Sequence, residues 1–120
     1  MKKIFALLTA VVFLAGCQSE NKEIYSRQIE ISTIPEGAPI IVDGLRMGKA
    51  PISLGIETTE DGCFVRKTVI TAIPQDDKLF TQIITFPAYR KAEPEKSLAP
   101  EKIIFDMTKD PQQGGGVITE

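Results

Sequence analysis

Histidine and tryptophan are both missing from the 120 residues. Without an imidazole no Cys–His nucleophile pair can form, because a catalytic thiol needs a neighbouring base to become thiolate. Zinc loses its usual nitrogen ligand for the same reason, and only Cys17 and Cys63 could supply sulfur. Basic clusters are missing too. Lys and Arg are spread thinly from Lys22 to Lys109, whereas a nucleic-acid binder gathers them to displace counterions. Long apolar runs are absent: the longest, Ile4 to Ala15, holds 12 residues, against about 20 for a spanning helix. The glycines Gly114 to Gly116 have no Lys-Ser or Lys-Thr behind them and open no helical pattern, which excludes a phosphate loop. Asp76-Asp77 lacks the dense oxygen spacing of a calcium loop. No metal and no cofactor is expected.

What is present describes one small folded domain. A hydrophobic share of 42% is ordinary for a globular chain and too high for a disordered one. The formal charge is −2. Loss of the first sixteen residues would remove Lys2 and Lys3 and no acid, leaving 12 basic against 16 acidic side chains, a net −4. That mild acidity is a further argument against a nucleic-acid partner.

The N-terminus has the three parts of an export signal: a positive start at Lys2-Lys3, a short apolar core broken only by Thr9, and small residues at its end. That end reads Leu14-Ala15-Gly16-Cys17, which resembles the lipobox of bacterial lipoproteins. The resemblance implies that Leu14, Ala15 and Gly16 are recognised, that residues 1–16 are cut away, and that Cys17 becomes the acylated first residue. An export signal with a chance cysteine, or an uncleaved anchor, is the competing reading. Several acyl chains hold a protein firmly on a bilayer, whereas one gives only marginal binding. The polar stretch Gln18 to Lys22 suits the headgroup region. In Gram-negative lipoproteins an aspartate after the cysteine retains the product in the inner membrane. Gln18 in that place implies the periplasmic face of the outer membrane.

An acylated Cys17 leaves Cys63 without a disulfide partner in its own chain. It is expected as a small buried residue beside Phe64 and Val65, with an intermolecular disulfide as the alternative.

Beyond residue 23 no long helical period occurs. Short alternating runs bounded by turn residues indicate strands. Gln28 to Ile34 places Ile29 and Ile31 on one face, and Pro35-Glu36-Gly37 turns the chain. Ile40 to Val42 is closed by Asp43-Gly44, and Ile52, Leu54 and Ile56 alternate. Cys63 to Ile73 reads as one long strand. Leu79 to Phe86 is its antiparallel partner, with Phe80, Ile84 and Phe86 on one face. A proline- and charge-rich loop, Pro87 to Glu101, precedes Lys102 to Thr108, which alternates through Ile103, Phe105 and Met107. Six or seven strands predict an all-β fold, a small antiparallel β-sandwich or partly closed barrel. The expected organisation is a signal peptide (1–16), a lipidated N-terminus and linker (17–27), a β domain (28–109) and a flexible tail (110–120).

Within this pattern, Ile29 to Leu54 resembles the PEGA domain, a small β module named for Pro-Glu-Gly-Ala. Those letters stand at Pro35, Glu36, Gly37 and Ala38. Asp43-Gly44, Gly48, Ala50-Pro51 and Leu54 follow in the family's order. In structural terms Gly37 and Gly48 would reverse the chain, Asp43-Gly44 would close a hairpin, and Pro51 would sit where no ladder N–H is needed. The resemblance implies a binding or structural unit and supplies no catalytic residue.

Two functions of different class follow. The first is a lipid-anchored, non-catalytic envelope protein whose β domain contacts another envelope protein or peptidoglycan. The Arg90 to Glu101 loop or a free sheet edge would serve as the contact. The second is a small envelope hydrolase using two carboxylates among Asp43, Asp61, Asp76, Asp77, Glu93 and Glu95. Acid–base work needs such a pair held close in a dry cleft, and most of these residues lie in turns.

Overall fold

The structure is a computed structural model and describes residues 24–120. The signal segment, Leu14, Ala15, Gly16, Cys17 and Gln18 lie outside the described residues. Eight strands follow: β1 (Tyr25–Ile34), β2 (Pro39–Val42), β3 (Leu45–Lys49), β4 (Ile52–Thr58), β5 (Thr68–Ala72), β6 (Gln82–Phe86), β7 (Lys102–Asp106) and β8 (Val117–Thr119). They build two four-stranded sheets, ordered β4-β1-β7-β8 and β3-β2-β5-β6. All pairings are antiparallel except β1 with β7, which run parallel with Ile31 opposite Ile103 and Thr33 opposite Phe105.

Each strand buries the face its alternation marks. Ile29, Ile31 and Thr33 of β1 point inward, as do Leu54 and Thr58 of β4 and Ile103 and Phe105 of β7. Ile40 and Val42 of β2, Ile70 and Ala72 of β5 and Phe86 of β6 meet them from the other sheet. Each fully buried Ile, Leu or Phe contributes roughly 1.5–3 kcal/mol relative to exposure. This inter-sheet layer therefore carries most of the stabilisation. Phe64 stacks on Phe86 with ring centroids 4.5 Å apart, closing one end of the layer. Met107, just past β7, closes the other and is fully buried.

Several expectations are corrected. The run Cys63 to Ile73 is not one strand. Cys63 and Phe64 make isolated bridges to Leu98 and Thr58, the chain bends through Val65 and Arg66, and β5 starts at Thr68. The β-branched composition was right for a strand, but the segment crosses from one sheet to the other, so it must leave the ladder in between. Phe80 is not on the inward face; the pairing strand begins at Gln82, and Phe80 is exposed. β1 begins at Tyr25, inside the expected linker, because Tyr25 has Thr58 of β4 to pair with. The residues expected as a flexible tail form a 3-10 turn at Pro111–Gln113 and then β8, which pairs with β7 and is the strand the six-or-seven expectation omits.

Gln82 explains how that last segment is held. It is 1% exposed. Its Nε2 donates to the carbonyls of Asp106 (3.0 Å) and Lys109 (2.8 Å), so the edge of one sheet is laced to the end of the other. Gly116 packs directly on this amide, since a Cβ there would meet the Gln82 side chain at 2.7 Å. Replacing Gln82 with leucine strands the Lys109 carbonyl, leaves the Asp106 carbonyl only its long bond from the Lys109 N–H (3.3 Å), and is expected to cost about 1–3 kcal/mol. The neighbouring exposed change Ile83→Ser is expected to stay within about 0.5 kcal/mol. Urea unfolding of the mature chain measures both, and equal losses would refute the assignment.

Candidate functional site

The Pro-Glu-Gly-Ala turn sits where β1 leaves its sheet. Pro35 and Glu36 are exposed, Gly37 has φ +98°, and Ala38 is buried. Thr33 organises the turn from below: its Oγ1 donates to the Pro35 carbonyl at 2.9 Å and accepts from the Ala38 N–H at 3.4 Å. The Gly37 N–H donates to the Ala50 carbonyl, and the Ala50 N–H to that of Ala38. These two bonds join the turn to the Ala50-Pro51 corner that leads into β4. Gln75 donates to the Gly37 carbonyl at 2.6 Å and brings the β5–β6 loop onto the same end.

Asp43 and Gly44 form the two-residue β2–β3 hairpin with both φ angles positive, 49° and 87°. That is the backbone an Asp-Gly pair favours. Asp43 also binds outward. Its Oδ1 accepts from the Val69 N–H at 2.8 Å, and its own N–H donates to the Val69 carbonyl at 2.9 Å. The hairpin is thereby fixed to β5. Gly48 does not reverse the chain as expected. It lies inside β3, beside an irregularity where Ile40 faces Gly48 but Ile41 faces Arg46, which leaves Met47 extra. This is a β-bulge, and the φ of +142° at Gly48 suits only glycine. A Cβ there would also meet Ile52 Cδ1 at 2.9 Å. The reversal falls instead at Ala50-Pro51, with Pro51 exposed between β3 and β4.

The candidate carboxylates are distributed over exposed turns. Asp61, Asp76, Asp77 and Glu95 are exposed, and Asp76 accepts from the Lys78 N–H at 3.0 Å, which makes it a turn former. Glu93 pairs with Lys96 at 3.0 Å. Among the described residues no group of three or more His, Cys, Asp or Glu is placed to hold a metal ion. The carboxyl of Asp106 is held below its ordinary value of 3.8, chiefly by the Thr108 hydroxyl hydrogen bond. Partial burial opposes this, and the Thr108 N–H and the Lys109 charge add to it.

Cys63 is buried, and its Sγ donates to the Pro94 carbonyl at 3.5 Å. A thiol so enclosed reaches no partner chain without local opening. The Arg90–Glu101 loop divides in two. Ser97 and Ala99 are buried, the Phe64 N–H donates to the Ser97 carbonyl, and the Ala99 N–H donates to the Gly62 carbonyl. Its first half, through Lys96, faces solvent apart from a half-buried Glu93. Two further surfaces escaped sequence reasoning. β3 is an edge strand whose Leu45 is 68% exposed and whose Met47 is also exposed. Phe80 and Ile83 border a groove with Pro111 at the opposite edge of the same sheet. The alternation that betrays inward residues carries no signal for apolar residues turned outward at an edge.

These observations define an all-β module of two sheets with free edges and a turn-built end. Residues 1–18 match the prokaryotic membrane lipoprotein lipid attachment site, and residues 26–62 match the PEGA domain. The chain therefore carries a lipoprotein lipid attachment site with a PEGA domain behind it. The PEGA match spans β1 to β4 and ends at Gly62; β5 to β8 lie beyond it. No curated protein and no solved structure matches the chain.

Two outcomes test this description. Asp43→Ala removes the acceptor of the Val69 N–H and leaves an alanine at positive φ. A loss of about 1–3 kcal/mol is expected, and a smaller one for Asp43→Asn, by urea titration. For Asp106, a depressed folded pKa means a stabilisation fully present above the ordinary value of 3.8 and lost as pH falls through the lower folded value. Thr108→Val should raise the NMR-titrated pKa of Asp106 toward 3.8 and shrink that acid-side loss.

Proposed function

We propose that the protein is an outer-membrane lipoprotein, anchored at the periplasmic face through an acylated Cys17, whose β domain is a non-catalytic binding or structural module. The observation that carries this reading is the lipid attachment site at residues 1–18 standing directly before a β domain that starts at Tyr25. Leu14, Ala15 and Gly16 present the cleavage site, and Gln18 directs the product outward. The partner is an envelope protein or the peptidoglycan polymer. Edge strand β3 is the best-equipped contact. Its outer backbone groups are free of any described strand, so an extended partner segment can add to it. Leu45 and Met47 offer apolar contacts there, with Arg46 and Lys49 for polar ones. Exposed turns hold the candidate carboxylates, which favours solvated and structural roles for them over acid–base chemistry.

Cys17→Ser is the decisive variant. Incorporation of labelled fatty acid should cease, an uncut precursor should accumulate, and the outer-membrane fraction should lose the protein. Unchanged labelling and size would refute the anchor. For the partner, a photo-crosslinker at Met47 should capture an envelope protein in intact cells, or the domain should sediment with purified peptidoglycan. Failure of both would remove the binding assignment.

A further inference from the structure

We infer that the end of the domain at which the chain enters rests on the bilayer surface, with Lys67 and Arg90 receiving the phosphate of anionic phospholipid headgroups. The inference rests on the acylated Cys17 of the proposed function. Six residues, 18–23, separate Cys17 from Ile24. Extended residues span at most about 3.3–3.6 Å each, so the tether keeps Ile24 within roughly 25 Å of the lipid.

The hydrogen-bond pattern defines what lies at that end. Tyr25 pairs with Thr58, and Thr58 bridges to Phe64. Phe64 accepts from the Tyr89 N–H and donates to the Ser97 carbonyl. The start of β1, the bend after Cys63, the segment after β6 and the 3-10 turn Pro94–Ser97 are therefore neighbours. Four large apolar side chains are exposed on these segments: Ile24 (77%), Leu98 (49%), Tyr89 (42%) and Val65 (37%). A tyrosine with a wet hydroxyl and an apolar ring suits a membrane interface.

Charge selects the side that faces lipid. Lys67 and Arg90 line one groove of about 300 Å³ with Thr85, Pro87 and Ala88, and no carboxylate lines it. Among the described residues the ion pairs are Arg66–Glu57 and Lys96–Glu93, which neutralise their own members. Lys67, Arg90 and the adjacent Lys91 have no described carboxylate at ion-pair distance. The acids of this end outside those ion pairs, Glu60, Asp61 and Glu95, lie on the turn after β4 and on the 3-10 turn. A basic groove free of carboxylates, in a mature chain of net −4, complements a surface of phosphates. The tether holds it at such a surface permanently, which favours lipid over a diffusing acidic protein.

The test uses the full acylated protein in vesicles of phosphatidylethanolamine with phosphatidylglycerol. A fluorophore is placed at Tyr89→Cys or at Asp77→Cys; Asp77 lies in the β5–β6 loop, which Gln75 ties to the far end of β1. Brominated lipids quench labels near the bilayer. Quenching should be several-fold stronger at position 89 than at 77. The difference should shrink in vesicles of phosphatidylcholine alone and disappear in Lys67→Glu/Arg90→Glu, which alters only exposed side chains. Flotation reports the anchor separately: if Cys17→Ser floats as well as the parent, the acylation reading fails. Equal quenching of both labels in a protein that floats would overturn the docking alone, as would a difference that survives charge reversal or is undiminished in the neutral lipid.

Discussion

Each sheet is apolar on one face only, and burial of those two faces against each other is the contact on which everything else in the domain depends. Neither face is complete within one half of the chain. β1 brings Ile29 and Ile31 to a sheet that also needs Ile103 and Phe105 of β7, and β2 brings Ile40 and Val42 to a sheet that needs Ile70 and Phe86. The parallel β1–β7 pairing and the antiparallel β2–β5 pairing thus interlock the halves twice. Parallel neighbours require a long connection, and everything from β2 to the 3-10 turn at Pro94–Ser97 forms it.

This interlocking gives the PEGA match a physical meaning. The matched residues, 26–62, supply a pair of strands to each sheet and the turn system that sets the angle between them. Thr33, Asp43 and the carbonyl of Ala50 tie those turns together or to β5, so the conspicuous letters of the motif fix backbone geometry. In this chain the edges carry Leu45 and Met47 on β3 and Ile83 on β6. A module of this design presents apolar side chains at the edges of its sheets.

The tether adds a direction to the module. β1 follows the lipid attachment site in sequence and lies inside one sheet, between β4 and β7, so the described chain enters the domain through its core and not at an edge. The entry end carries exposed apolar and basic side chains, and the Pro-Glu-Gly-Ala turn lies at the opposite end of β1. The edges stand between the two.

The sequence by itself determined what contiguous residues can encode. The lipobox, the period-two burial of Ile29/Ile31 and Ile103/Phe105/Met107, and the Asp43-Gly44 hairpin all rest on neighbours a few positions apart, so their signals are local. The tertiary structure alone decided the rest. Gln82 is buried because carbonyls 24 and 27 residues away need its amide. The run from Cys63 breaks because its two ends belong to different sheets, which no composition reveals. Residues 117–119 become a strand because β7 has an open edge, and Phe80 turns outward because pairing with β5 begins only at Gln82. In each case the deciding partner is remote in the chain, and its position exists only once the two sheets have closed on each other.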